Sequence, residues 1–194
     1  MIAAIILAAG ESRRMGSPKA LVPYRGLTFL EHLLAATRHP RIGITRVVLG
    51  RDADQIRTEL RLSPSQILIN DNWENGPLSS IHVALHSLEN EKDVEAAILC
   101  LVDHPLITIH LVGELIAAFD RTNKSIILPV YKSRRGHPVM FRKTLFPELL
   151  AAPLDIGARA VVRAHSNDVL EVPTEEEGVL LNLNDPESVL RLLD

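Results

Sequence analysis

The chain has 194 residues, 46% of them hydrophobic and 23% charged, which suffices for one compact α/β domain and leaves no room for a second. A net charge of -3 excludes a general grip on nucleic-acid backbone, and 4% aromatic content excludes a stacking platform for single strands. The single cysteine, Cys100, sits in the apolar run from Ala96 to Val102, so it forms no intrachain disulfide and suits a reducing, cytoplasmic location.

In chain order, Ala3 to Ala9 is apolar at every position, as a central parallel strand buried on both faces should be. It is too short for a membrane span and lacks a basic leader region. Thr28 to Arg38 predicts a helix, with Thr28 as cap and Glu31 at the capping-box position. Strands are expected at Ile44 to Gly50, Gln66 to Asn70, Ala96 to Val102 and Ser125 to Val130. Helices at Asp52 to Leu60, Leu78 to Leu88 and Thr108 to Phe119 alternate with them. Such alternation marks βαβ units and a mainly parallel sheet, in one domain covering residues 1–194.

Beyond Val130 the pattern changes. Tyr131 to Pro138 is a polar turn and Val139-Met140-Phe141 a short extended piece, which together predict a hairpin excursion. Helical stretches at Arg142 to Leu150, Gly157 to His165 and Pro186 to Leu193, with strands at Asp168 to Val172 and Gly178 to Leu181, are expected to fold over one sheet edge.

Between the first strand and the first helix, Gly10, Arg14, Gly16 and Lys19 outline a phosphate cradle. The glycines let backbone N–H groups approach an anion, and the cations add charge-assisted contacts. Neither a Walker A loop nor a Gly-x-Gly-x-x-Gly fingerprint is present, and an exposed turn is the plain alternative. Asp103 follows a buried strand, where a hard carboxylate suits magnesium, although a turn residue before Pro105 has the same appearance. Ser79 and Ser80 open a helix as caps or as ligands to a base and ribose. Trp73 reads as a loop anchor, Glu175-Glu176-Glu177 as a solvated turn, and His104 and His110 form no spaced metal set.

The run Leu7-Ala8-Ala9-Gly10-x-Ser12-x-Arg14-Met15-Gly16-x-Pro18-Lys19 resembles the signature of the MobA-like nucleotidyltransferases of molybdenum cofactor synthesis. Further matching stretches are Asn70 to Ile81, Leu101 to Leu106, Arg135 to Val139, Asp155 to Arg159 and Asn182 to Glu187, so the resemblance spans nearly the whole chain. It implies a three-layer, Rossmann-like nucleotide-diphospho-sugar transferase fold, with helices on both faces of the sheet. It also implies a nucleotide site at Leu7, Ala8, Ala9, Gly10, Ser12, Arg14, Met15, Gly16, Lys19, Asn70, Gly76, Ser79 and Ser80. Lys19, Arg14 and Asp103 take catalytic roles, Asp103 and Asn184 hold Mg2+, and Gly136, His137, Pro138, Asp155 and Arg159 meet the acceptor.

The implied reaction joins a nucleoside triphosphate to molybdopterin carrying its molybdenum, with a molybdoenzyme or its chaperone as downstream partner and neither nucleic acid nor membrane involved. Ala9 and Gly136-His137-Pro138 resemble cytidylyl-transferring members, whereas Asn182-Leu183-Asn184 resembles the guanylyl-transferring pattern with Asp185 in place of threonine. Sugar or polyol phosphates are alternative acceptors, and a non-catalytic cofactor chaperone is the alternative of another class. Leu154 stands where the family commonly has glycine, and Asp155 with Arg159 also fits a simple helix-start ion pair.

Overall fold

The computed structural model describes residues 1–192. Strand β1 (Ile2–Ala8) is buried at every position, and its period-two alternation feeds two cores on opposite faces. Ile2, Ala4, Ile6 and Ala8 enter one, while Ala3, Ile5 and Leu7 enter the other.

A small antiparallel pair, β2 (Pro23–Tyr24) and β3 (Leu27–Thr28), leads into α1 (Phe29–Ala36). Thr28 caps α1 as expected: its hydroxyl accepts from the Glu31 N–H at 3.3 Å, and the Glu31 carboxylate accepts from the Thr28 N–H at 2.8 Å. Phe29, Leu30, Leu33 and Ala36 then turn one apolar face to the sheet.

Strand β4 (Ile42–Leu49), helix α2 (Ala53–Glu59) and strand β5 (Ile67–Ile69) follow, with both strands parallel to the growing sheet. Helix α3 (Pro77–His86), strand β6 (Ala96–Leu101) and helix α4 (Ile109–Arg121) complete the regular alternation. Helices α1, α2 and α4 pack on the first core and α3 on the second, giving three layers with helices on both faces of the sheet.

The second part of the chain departs from simple winding. Strand β7 (Ile126–Tyr131) turns into β8 (Arg134–Arg135), which is the expected hairpin. Strand β9 (Val139–Arg142) is no excursion: it inserts antiparallel between β6 and β7, with Met140 and Phe141 fully buried. After β9 come α5 (Phe146–Ala151) and α6 (Arg159–Ala164) on the second core. Strand β10 (Val169–Pro173) is parallel to β7 and closes the order β10-β7-β9-β6-β1-β4-β5.

Two expectations for the late region need correction. Gly178 to Leu181 is not a strand, since Glu177–Val179 forms a 3-10 turn. Nor does the tail stay at the edge; after β10 it runs back across the strand carboxyl ends. The Val179 carbonyl accepts from the His137 N–H at 2.9 Å, and the Leu183 N–H donates to the Asp103 carbonyl at 2.8 Å. Helix α7 (Pro186–Leu190) follows; Leu193, the expected helix end, lies outside the described residues. No helix among the described residues is long and apolar enough to cross a membrane.

Candidate active site

The carboxyl ends of β1 and β6 and the amino end of α3 enclose a cleft of about 210 Å³. Leu7 lines it from the end of β1, Ala9, Gly10, Ser12 and Lys19 from the loop that follows, Gly76 and Ser80 from the cap and first turn of α3, and Asp103 from just past β6. Helix amino termini and strand carboxyl ends are where open α/β sheets bind phosphorylated ligands, because unpaired N–H groups point there.

The loop from Gly10 to Lys19 is held open by its own chemistry. Ser12 takes a left-handed φ of 55°, its carbonyl accepts from the Met15 N–H at 2.9 Å, and its hydroxyl accepts from the Lys19 N–H at 3.0 Å. Gly16, at φ 74°, makes the second left-handed bend without a Cβ penalty. Met15 and Pro18 are buried, so the loop is pinned while its middle stays exposed.

At the base of the cleft, three distant segments meet. The Lys19 ammonium stands 3.5 Å from Asp103 Oδ2 and hydrogen-bonds Asn184 Oδ1, with the Lys19 and Asp103 side chains 17% and 19% exposed. This junction tests whether a divalent cation fits. One carboxylate and one amide oxygen are hard ligands, and they already converge on a positive charge, which suits magnesium or manganese with phosphate and water completing the shell. Among the described residues no group of three His, Cys, Asp or Glu side chains forms a metal cluster.

Some expected contacts lie elsewhere. Ala8 points into the opposite core, as strand alternation dictates, and Met15 is core-facing. Asn70 is 1% exposed and donates to the Ser79 and Ser80 hydroxyls at 2.8 and 2.9 Å; Ser79 also bonds the Gly76 carbonyl at 2.8 Å. Asn70 and Ser79 thus brace the cleft wall from behind, leaving Ser80 on its surface. Arg14 is exposed and faces the tail, where it assists the Ser188 N–H in holding the Asp185 carboxyl below its ordinary range.

Of the residues expected to meet the acceptor, Gly136 is buried against the tail: a Cβ there would lie 2.6 Å from the Val179 carbonyl. His137 precedes Pro138 across a cis peptide, and its ring lies 4.9 Å from that of His104. Burial pushes His137 down to about 4, helped by His104 and Arg159 and opposed by Asp103. Both imidazoles have a buried Nδ1 without a hydrogen-bond partner among the described residues. Asp155 and Arg159 are exposed around the Pro153–Gly157 turn, and among the described residues they form no ion pair with each other.

Sequence patterns gave no role to Glu11, Pro77 or His104 at this rim, and read Trp73 only as a loop anchor. Trp73 and Pro77 line the cleft, Trp73 with its Cβ against Gly50. Glu11 pairs with both Arg13 and Arg51, tying the phosphate loop to the end of β4. His104 is 5% exposed, with its ring against that of His137. Only its place beside Asp103 signalled it.

Fold and site together define an α/β protein of the kind that binds phosphorylated ligands at its strand carboxyl ends. Residues 4–169 match the MobA-like NTP transferase domain, and the chain belongs to that family of nucleotidyltransferases.

It is 28% identical to nicotine blue oxidoreductase of Paenarthrobacter nicotinovorans, over 99% of this chain and 96% of that protein. It is also 26% identical to a probable molybdenum cofactor guanylyltransferase of Mycobacterium marinum, over 94% and 89% of the respective chains. Among solved structures, Rv0371c of Mycobacterium tuberculosis H37Rv superposes with TM-score 0.86 at 29% identity, covering 99% of this chain and 96% of that one. A manganese complex of Rv0371c superposes with TM-score 0.81 at 26% identity, covering 99% and 97%.

Proposed function

We propose that the protein transfers a nucleotidyl group, CMP from CTP, to the terminal phosphate of molybdopterin carrying its molybdenum, with release of pyrophosphate. The observation that carries this reading is the meeting of Lys19, Asp103 and Asn184 at the mouth of a glycine-rich loop.

The triphosphate lies along Gly10 to Lys19, where backbone N–H groups and the Lys19 cation offset its charge, and Arg14 must leave the tail to add its own. An acceptor phosphate oxygen attacks the α-phosphorus as the bond to the β-phosphate oxygen breaks, and pyrophosphate leaves. Such an acceptor is already anionic, so positioning and charge stabilisation suffice without a strong general base. Magnesium held by Asp103 and Asn184 would supply further stabilisation of the phosphoryl charge. Gly136, His137, Pro138, Asp155 and Arg159 border the acceptor's place beyond Asp103. Destination of the product in a molybdoenzyme, directly or through its chaperone, completes the proposal.

Pyrimidine use is supported by the Ala9 methyl, which takes up space in a small cleft. GTP use is favoured by the guanylyltransferase relatives. Hydride transfer is suggested by the name of the P. nicotinovorans relative, yet Gly10 and Gly16 stand six apart, without the dinucleotide fingerprint.

Incubation of the purified protein with Mg2+, molybdenum cofactor and either CTP or GTP, followed by pyrophosphate and dinucleotide analysis, tests the reading. Cytosine dinucleotide product supports it, and guanine product transfers the assignment to GTP. No pyrophosphate from either, with NAD(P)H consumed by a dye substrate instead, refutes nucleotidyl transfer to this acceptor.

A further inference from the structure

The Lys19 ammonium occupies a more specific position than a phosphate contact requires. It sits between an amide oxygen, Asn184 Oδ1, and a carboxylate oxygen, Asp103 Oδ2, which are the two side-chain oxygens suited to a hard divalent cation. Both charged side chains are more than four-fifths buried, so solvent screens the pair weakly. The arrangement is also fixed from outside. The Leu183 N–H donates to the Asp103 carbonyl at 2.8 Å, and Asp185 caps the helix that follows, so Asn184 is delivered to this point by its neighbours on both sides. A second cation arriving here would face the ammonium at close range and find its oxygen ligands engaged.

We propose, on the basis of the nucleotidyl-transfer reading above, that Lys19 occupies the cation position until nucleotide arrives, and that a divalent cation gains Asp103 and Asn184 only when the triphosphate draws the ammonium away. Lys19 thereby acquires a function separate from stabilising the reacting phosphates: it sets the order of assembly. Cation and nucleotide then bind with positive coupling, and linkage makes that coupling reciprocal. Divalent cation without nucleotide binds weakly, which keeps the site from being filled by metal alone.

Titration of the whole protein with Mn2+ in the absence of nucleotide, read as the electron paramagnetic resonance of free Mn2+, tests the idea. Lys19→Met is expected to bind Mn2+ at least ~10-fold more tightly than the unaltered protein, equivalent to about 1.4 kcal/mol. Lys19→Gln is expected to behave alike, because the lost charge matters rather than the chain length. Adding Asp103→Asn to Lys19→Met is expected to abolish the gain. If neither Lys19 variant binds Mn2+ more tightly while Asp103→Asn alone still weakens binding, the occupant role is overturned and Asp103 stands as a ligand. If the gain survives Asp103→Asn, Asp103 is not the ligand, and the inference goes with that assignment.

Discussion

Residues 1–121 and 122–192 reach the same rim by different physical routes. In the first part a helix carries the chain back after each strand of the main sheet, so β1, β4 and β6 lie parallel and bring Gly10, Gly50 and Asp103 to one end. In the second part β9 runs antiparallel through the middle of the sheet, β10 sits at the far edge, and a tail with little regular structure returns to place Asn184 on Lys19. The first route depends on local sequence pattern and the second on long-range fit. The phosphate loop and Asp103 thus rest on early, locally specified elements, whereas Asn184 and His137 are placed by contacts across the sequence.

That contrast can be broken at its catalytic junction, where the largest effects are expected. Asp103→Asn and Lys19→Ala should each lower turnover at least ~100-fold, measured by pyrophosphate release, because each removes a charge aimed at the reacting phosphates. Both retaining normal turnover would refute the assigned roles.

Two glycines sharpen the comparison. A Cβ at Gly50 would meet the Ala9 carbonyl at 2.4 Å, and one at Gly136 the Val179 carbonyl at 2.6 Å. Gly50→Ala and Gly136→Ala should each cost about 1–3 kcal/mol in chemical unfolding. Gly50→Ala should weaken nucleotide binding, followed by the fluorescence of the single tryptophan, Trp73. Gly136→Ala should instead raise the acceptor KM with nucleotide affinity unchanged. Identical kinetic profiles would erase the distinction between the halves.

A smaller effect is expected at the cap of α1. Thr28→Ala should cost about 1 kcal/mol of stability by thermal melting and leave both substrate affinities alone, since the cap lies in the framework rather than the cleft.

The last difference shows only in acid. His137 is kept neutral down to about 4 by burial, with His104, Asp103 and Arg159 as its charged or titratable neighbours, while an unfolded chain protonates it near 6.5. The unfolded state therefore binds the extra proton between those values. This contribution to stability is full above pH 6.5 and is lost as pH falls through the window toward 4. His137→Asn should flatten the fall of melting temperature over that range; an unchanged slope would contradict the buried neutral ring.

The sequence by itself determined the early strands and helices and the position of the phosphate loop. A fully apolar Ala3 to Ala9, the Thr28 and Glu31 cap, and Gly10 and Gly16 around Arg14 each express a constraint within a few residues. It also put Asp103 just past a strand end, because the apolar run that begins at Ala96 stops at Val102. Tertiary structure alone decided that Val139 to Arg142 enters the middle of the sheet, that Gly178 to Leu181 is a turn, and that Asn70 and Ser79 brace the wall instead of facing the cleft. It also put His104 against His137 and Asn184 against Lys19. Those outcomes depend on which surfaces meet across tens of residues, and short-range periodicity and capping contain no term for that.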